Sequence, residues 1–337
     1  MKAIGFKTSY NIENEQSLFE FEKDKPIAQG FDILVKINAV SMNPVDTKVR
    51  IRAATNTVLD EPKVLGYDAV GIVEEIGCDV KNLKINDRVF YAGDITRDGS
   101  NTQYQLVDSR IAALAPKTIN DVEAAVFPLT SLTAWEAIFD RLKINKTQNK
   151  TILIIGGAGG VGSIAIQIVK ATTNLTVIAT ASREESFNWV KSMGADYIAN
   201  HRDLINSVKE LGFDNVDYIF NVADTKGHWD AMSELIAPQG SICSIVEFDG
   251  ALDFSILKSK SATFVWEFMF TRSMYKTDDI EEQHNILKQI ATLIDEGKIK
   301  TTLTQTIEGF SVESIKKAHK IVESGKSIGK IAIDFTK

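Results

Sequence analysis

Residues 151–162 read TILIIGGAGGVG. An apolar run, Thr151 to Ile155, leads straight into five glycines among seven residues, 156–162. A helical pattern follows at once, with apolar Val161, Ile164, Ala165, Ile168 and Val169 at i, i+3, i+4, i+7 and i+8. Strand, glycine turn and helix in that order make a cradle for a pyrophosphate. Glycine at 157 and 159 allows a tight turn and close approach of the backbone, and glycine at 162 allows the helix to pack against the strand. The unpaired N–H groups at the helix start then face the negative charge. The segment Gly157, Ala158, Gly159, Gly160, Val161 and Gly162 is therefore the expected pyrophosphate site.

The same stretch is also long and apolar enough to span a bilayer, since residues 151–169 carry no charge. Its central glycines and its switch from strand to helix patterning favour a buried strand–turn–helix. No second stretch reads as a candidate span.

Outward from the glycines, the two sides of the chain differ. The first third is β-rich: residues 33–40 (ILVKINAV), 70–76 (VGIVEEI), 89–92 (VFYA) and 103–107 (QYQLV) are strand-like and punctuated by Gly66, Gly71, Gly77 and Gly93. No alternation of helix and strand is visible there. Alternation starts near Glu123, with a helix containing Pro128. After the glycine turn come a strand at 175–181, a helix at 182–192, a short strand at 197–198 and a helix at 203–211. A strand at 216–222, a helix at 228–236 and a strand at 241–246 complete the pattern. This is the signature of a doubly wound parallel sheet of the Rossmann kind. A helix at 280–296, a strand at 301–307, a helix at 312–323 and a strand at 329–335 return to mixed structure. The expected fold is α/β, with a Rossmann unit at 126–270 inserted in a β-rich domain made of 1–125 and 271–337.

A chain of 337 residues, 44% hydrophobic and 25% charged, suggests about two domains with a core that needs no disulfide or metal for stability. The net charge of −7 and the absence of a basic block argue against nucleic acid or an anionic membrane as partner. Cys78 and Cys243 are isolated and read as reduced thiols. The start MKAIGFKTSY has no apolar core of a secretory signal, so a cytoplasmic location is expected.

The tip of the second Rossmann strand selects the cofactor, because an acid there bonds the ribose 2′-hydroxyl of NAD. Here the strand ends Ala179-Thr180-Ala181-Ser182-Arg183, with no acid at the tip. A hydroxyl and a guanidinium suit the 2′-phosphate of NADPH. Ser182 with Glu185 also reads as a helix capping box, which is compatible with an anion at the same helix start.

The chain resembles the medium-chain dehydrogenase/reductase superfamily, in its quinone-oxidoreductase and zinc-type alcohol dehydrogenase-like branch. The segments NPVDTKVR (43–50), PKVLGYDAVGIVEEIG (62–77), PLTSLTAWEA (128–137), the glycine strand, GADYIANHRD (194–203) and GKSIGKIAI (325–333) carry the resemblance in order. It implies a GroES-like catalytic domain around the Rossmann unit, and a homodimer. Zinc alcohol dehydrogenases place a Cys at the position of Asn43, a His at that of Tyr67 and a second Cys near Leu129. All three differ here, and two cysteines cannot supply a four-Cys structural zinc lobe. The resemblance thus implies a metal-free site, in which hydrogen bonds stabilise developing negative charge. Reduction of a quinone or an α,β-unsaturated carbonyl by NADPH is the expected activity. A zinc alcohol dehydrogenase or carbonyl reductase, and a non-enzymatic NADPH-binding protein, are the rivals.

The resemblance also names site residues, each with a plainer reading. Asn43 matches a site amide able to donate to substrate oxygen, or is a turn residue beside Pro44. Asp46 is similar to a site acid, or orients Arg50. Tyr67 donates a hydrogen bond or proton to a developing enolate, or lines the pocket. Thr133 matches a threonine beside the nicotinamide, or packs a helix on the sheet. His201 stands where relatives carry a Tyr near the 2′-phosphate, and either substitutes for it or faces solvent. Asn221 and Val222 end the fourth strand, where ribose passes, and Ile245 ends the fifth, near the carboxamide. Phe264, Trp266, Phe268, Met269 and Phe270 form a pocket wall, or a core or dimer contact. His228, His284 and His319 read as surface or core residues.

Overall fold

The β-rich reading of the first third holds, but a helix interrupts it. A computed structural model describes residues 1–337. The chain runs through β1 (Lys2–Phe6), β2 (Phe19–Glu22), β3 (Asp32–Ser41), α1 (Pro44–Arg52), β4 (Lys63–Val64), β5 (Ala69–Ile76), β6 (Arg88–Tyr91), β7 (Tyr104–Asp108) and β8 (Ala112–Leu114). Helix α1 has few apolar residues, so no hydrophobic stripe betrays it in the sequence; Pro44 at its first turn and an Asn43/Asp46 capping box start it instead.

Next come α2 (Asp121–Ala125) and α3 (Pro128–Trp135), followed by a π-helical turn, Glu136–Arg141. Pro128 thus opens a new helix rather than sitting inside one, as its missing N–H favours. The stretch Asp121–Arg141 is, by length and composition, also apolar enough to cross a membrane, which corrects the expectation of no second candidate span; 83% of its apolar 18-residue window is buried inside the protein.

The Rossmann elements follow: β9 (Thr151–Ile155), α4 (Gly160–Thr172), β10 (Thr176–Thr180), α5 (Glu184–Ser192), β11 (Tyr197–Ala199), α6 (Leu204–Glu210), β12 (Val216–Asn221), α7 (Trp229–Leu235), β13 (Ile236–Ser244) and β14 (Thr263–Trp266). The chain closes with α8 (Thr271–Tyr275), α9 (Glu282–Asp295), β15 (Leu303–Glu308), α10 (Val312–Glu323) and β16 (Lys330–Asp334).

Two units result, Met1–Leu129 with Phe270–Lys337, and Thr130–Met269. In the second, six parallel strands lie in the order β11-β10-β9-β12-β13-β14, the doubly wound arrangement whose strand order reverses between β9 and β12. The charge-free stretch 151–169 is buried β9, the glycine turn and α4, whose residues from Gly162 to Val169 are all buried. Against one face of the sheet, Leu204 and Val208 of α6 pack with Trp229, Met232 and Leu235 of α7. In the first unit, a seven-stranded sheet has β15-β16-β3-β5-β6-β8 in sequence with β7 paired to β3, beside a three-stranded sheet β2-β1-β4. Strand β16 runs antiparallel to the end of β3, opposing Ala332 to Ser41. That pairing brings residue 330, near the end of the chain, to residues 42 and 43.

Candidate active site

In the Rossmann unit the glycine turn behaves as its spacing requires, with the roles shared out differently. Gly156 holds φ at +90°, a conformation that L side chains rarely adopt. A Cβ on Gly162 would lie 2.3 Å from the Gly156 carbonyl oxygen, so this glycine lets α4 close on the turn. A Cβ on Gly157 would meet that of Ala179 at 2.9 Å, which makes Gly157 a packing residue against β10 rather than a point of phosphate approach. Gly159 is the N-cap of α4, and its missing Cβ would meet nothing nearer than the Gly156 oxygen at 3.6 Å. Ala158, Gly159, Gly160 and Val161 are half-exposed, while Gly157 and Gly162 are buried. The open face over Gly159, at a helix N-terminus, fits a pyrophosphate. Thr180 Oγ1 accepts from the Gly156 N–H at 2.9 Å and ties the turn to β10.

At the tip of β10 the expected capping box is corrected. Arg183, not Ser182, is the N-cap of α5, and Ser186 rather than Glu185 closes the box: its hydroxyl accepts from the Arg183 N–H at 3.1 Å and donates to the Arg183 carbonyl at 2.8 Å. One short buried hydroxyl satisfies both backbone groups, so Ser182 stays outside the helix at the strand tip. The register opposes Thr180 to Ala199, and the Ala181 N–H donates to the Ala199 carbonyl. His201 therefore follows β11 at the level of Ser182. It is not alone: its ring meets His228 edge-on, with centroids 6.3 Å apart. Burial, aided by Arg202, pushes His201 down; burial and His201 push His228 down.

Asn221 is fully buried and turned inward, its amide donating to Thr225 Oγ1 at 3.2 Å and to Ser244 Oγ at 3.0 Å. It braces the ends of β12 and β13, while Val222 and Ile245 remain half-exposed beyond them. Thr133 is buried in α3. The aromatic run splits: Trp266 and Phe268 are exposed, Met269 and Phe270 buried. One group in this unit has no sequence signal at all. Glu136, on the π-helical turn, and Glu267 are both buried around Arg141, whose Nε donates to Glu267 at 2.8 Å. Burial, and then Glu136, push the Glu267 carboxyl up to about 9.

In the other unit, Asn43, Asp46, Tyr67, Asp68 and Lys330 are all buried. Asn43 caps α1, and its backbone N–H donates to Asp46 Oδ2 at 2.8 Å. Its amide is held within the protein: Nδ2 donates to Asp68 Oδ2 at 2.7 Å, with longer contacts of 3.5 Å to the Ser41 and Tyr67 carbonyls. Its Oδ1 accepts from Lys330. This arrangement makes Asn43 part of the frame rather than a free donor to substrate. Asp46 does not orient Arg50, which instead pairs with Glu323 and the Tyr10 carbonyl. Burial pushes Asp46 up to about 7 against the pull of the Asn43 N–H and Lys330.

Tyr67 is the outstanding side chain of this unit. It is fully buried, its ring packs edge-on against Phe270 with centroids 5.4 Å apart, and its hydroxyl has no hydrogen-bond partner. Burial, then Asp46, push the phenol well up, so it carries its proton throughout the neutral range. A buried, protonated hydroxyl without an acceptor can serve a ligand oxygen. Asp68 and Lys330, neither chosen from the sequence, hold the Tyr67 segment. Asp68 Oδ1 accepts from the Leu129 N–H at 2.7 Å, and Lys330 Nζ donates to Asp68 Oδ2 at 3.3 Å. The side chains at the three positions that hold catalytic zinc in alcohol dehydrogenases are an amide, a phenol and an alkyl chain that has no ligating atom. No group of three or more His, Cys, Asp or Glu that could hold a metal ion exists. The donor set does not fit zinc.

Two family models match the chain: an alcohol dehydrogenase GroES-like domain over residues 29–116 and a zinc-binding dehydrogenase over 193–333. A zinc-type alcohol dehydrogenase-like protein of Staphylococcus epidermidis is 44% identical over 99% of this chain and 100% of its own. The 2-methylene-furan-3-one reductase of Solanum lycopersicum is 30% identical over 89% of this chain and 71% of its own. Among solved structures, a protein from Rhizobium etli CFN 42, provisionally described as a zinc-dependent alcohol dehydrogenase, superposes with TM-score 0.95 at 46% identity, covering 99% of this chain and 98% of that one. The Escherichia coli quinone oxidoreductase complexed with NADPH superposes with TM-score 0.83 at 24% identity, covering 99% and 100%.

Proposed function

This chain belongs to the medium-chain dehydrogenase/reductase superfamily, in its zinc-type alcohol dehydrogenase-like and quinone oxidoreductase branch, and we propose that it is an NADPH-dependent, zinc-independent reductase of quinones or α,β-unsaturated carbonyls. The observation that carries this reading is the Tyr67 hydroxyl. It is buried, protonated and without a protein acceptor, at the position where zinc dehydrogenases carry an imidazole ligand.

The open face over Gly159, with the N–H groups that start α4, would hold the pyrophosphate. Ser182, Arg183 and His201, at the tips of β10 and β11, would receive the 2′-phosphate. When bound, NADPH supplies a hydride. Hydride added to the carbon of an enone or quinone leaves negative charge on oxygen; the Tyr67 O–H donates to that oxygen and passes its proton to it, and the phenol is restored by a proton taken from water. Alcohol oxidation suits this chemistry poorly, because residues 43, 67 and 129 offer no imidazole or thiolate to hold a metal that would lower the pKa of an alcohol. The name of the tomato relative, an enone reductase, and the NADPH bound to the Escherichia coli structure point the same way. A homodimer is part of the proposal: β14 is the free edge of its sheet, and Trp266 and Phe268 are exposed beside it.

The test is NADPH oxidation with 9,10-phenanthrenequinone and with simple enones, set beside alcohol oxidation with NADP+, on protein purified without chelator. Acceptor-dependent NADPH oxidation by metal-free protein is the expected result. One tightly bound zinc per chain with alcohol turnover overturns the proposal, as does NADPH binding without reduction of any acceptor.

A further inference from the structure

Lys330 lies on β16, 287 positions from Asn43 along the chain, and its side chain is buried. Its Nζ has three acceptors, the Met42 carbonyl at 2.8 Å, Asn43 Oδ1, and Asp68 Oδ2 at 3.3 Å. An ammonium has three N–H donors and no acceptor, so this amine is saturated. Asp68 takes only donors, from Asn43 Nδ2, the Leu129 N–H and Lys330. Those roles require an ammonium facing a carboxylate. Burial works against both charges, while each supports the other and Asp46 adds to the hold on Lys330.

These bonds join the segments of residues 42–43, 67–68 and 129, and those are the segments that carry the three positions of the zinc ligands in alcohol dehydrogenases. We infer that Lys330 is a positioning residue for Tyr67: its ammonium, paired with Asp68, fastens those segments and so holds Tyr67, the function a metal ion serves in zinc relatives. The inference rests on the proposed role of Tyr67. Lys330 has no N–H left for a substrate, so it acts through Asn43 and Asp68. Volume alone does not explain it, since a Leu or Met would fill the same space without the desolvation of a charge.

Lys330→Ala with chemical rescue tests this. The variant should lose about 30-fold or more in acceptor kcat/KM while its NADPH Kd, set by the Rossmann unit, stays within about twofold. Added n-propylammonium, which replaces the missing stem and charge, should restore at least about fivefold and raise the melting temperature, while 1-propanol does neither. Activity within about threefold of the unmodified protein, or equal rescue by 1-propanol, overturns the inference. If Lys330→Ala does not fold, Lys330→Met keeps the stem without the charge, and activity within about threefold again overturns it. If the unmodified protein binds NADPH and reduces nothing, the proposed function falls instead. The melting-temperature response to n-propylammonium then decides the role of Lys330 by itself: a rise supports it and no rise overturns it.

Discussion

The glycine turn of the Rossmann unit and the polar cluster of the other unit are built by opposite means. The turn is made of seven consecutive residues, 156–162, and its working groups are backbone N–H groups freed by the absence of side chains. The cluster draws on residues 43, 46, 68 and 330, which hold one another around the unpartnered Tyr67 hydroxyl. A backbone cradle tolerates change wherever the chain has room and fails where a Cβ meets backbone. A buried charged cluster fails when any one partner is removed, because the remaining charge stays desolvated.

Four changes bear on that contrast. Asp68→Ala leaves Lys330 buried without its carboxylate and should cost about 4 kcal/mol of stability, read as a shift of the urea midpoint. A loss below about 1 kcal/mol would show that the cluster is not held by its charges. Tyr67→Phe should behave differently within the same cluster. Its hydroxyl bonds to nothing, so stability should change by less than about 1 kcal/mol, while acceptor reduction drops about 100-fold. Unchanged turnover in this variant would remove Tyr67 as the proton donor.

The turn should split in the same way. Gly162→Ala drives a Cβ into the Gly156 carbonyl and should cost about 2 kcal/mol together with NADPH binding. Gly159→Ala has space in the folded chain and should leave stability within about 1 kcal/mol while weakening NADPH about tenfold, measured by fluorescence titration. Equal destabilisation by the two would contradict the division of roles between these glycines.

The last contrast is in pH dependence. Asp46 is raised from 3.8 to about 7 on folding and Glu267 from 4.5 to about 9, so the native state keeps protons that the unfolded chain releases. Stability should therefore fall as pH rises, between about pH 4 and 7 for Asp46 and on to about pH 9 for Glu267, with a limiting slope near 1.4 kcal/mol per pH unit for each. Asp46→Asn should remove the decline that ends near pH 7 and keep the later one. Thermal melts from pH 5 to 9 would show this, and an unchanged profile would remove Asp46 as its source.

What was legible followed the same divide. The strand, turn and helix at 151–172, the parallel alternation after it and four strands of the first third, β3, β5, β6 and β7, are local patterns of period 2 or 3.6 and stood in the sequence, whereas β1, β2, β4, β8 and β14 did not. Helix α1 did not, because capping and a proline start it without an apolar stripe. Ser186 rather than Glu185 closes the cap of α5, since the choice between two side chains one residue apart depends on which one is buried. The His201–His228 contact, the Glu136–Glu267 pair and the Lys330–Asp68 bond join residues distant in sequence and had no signal to read.

The sequence by itself determined where the strand, glycine turn and helix lie, because Gly156 takes a conformation that L side chains rarely adopt and Gly157 and Gly162 sit where a Cβ would collide. It also determined that residues 43, 67 and 129 cannot form a zinc site, because ligand chemistry resides in residue type. Only the tertiary structure decided which groups are held and which are available. The antiparallel pairing of β16 with β3 carries Lys330 to the Asn43 Oδ1 and Asp68 takes the Asn43 Nδ2, while the Tyr67 hydroxyl has no partner. Hydrogen-bond satisfaction and desolvation are properties of neighbours, and chain folding chooses the neighbours.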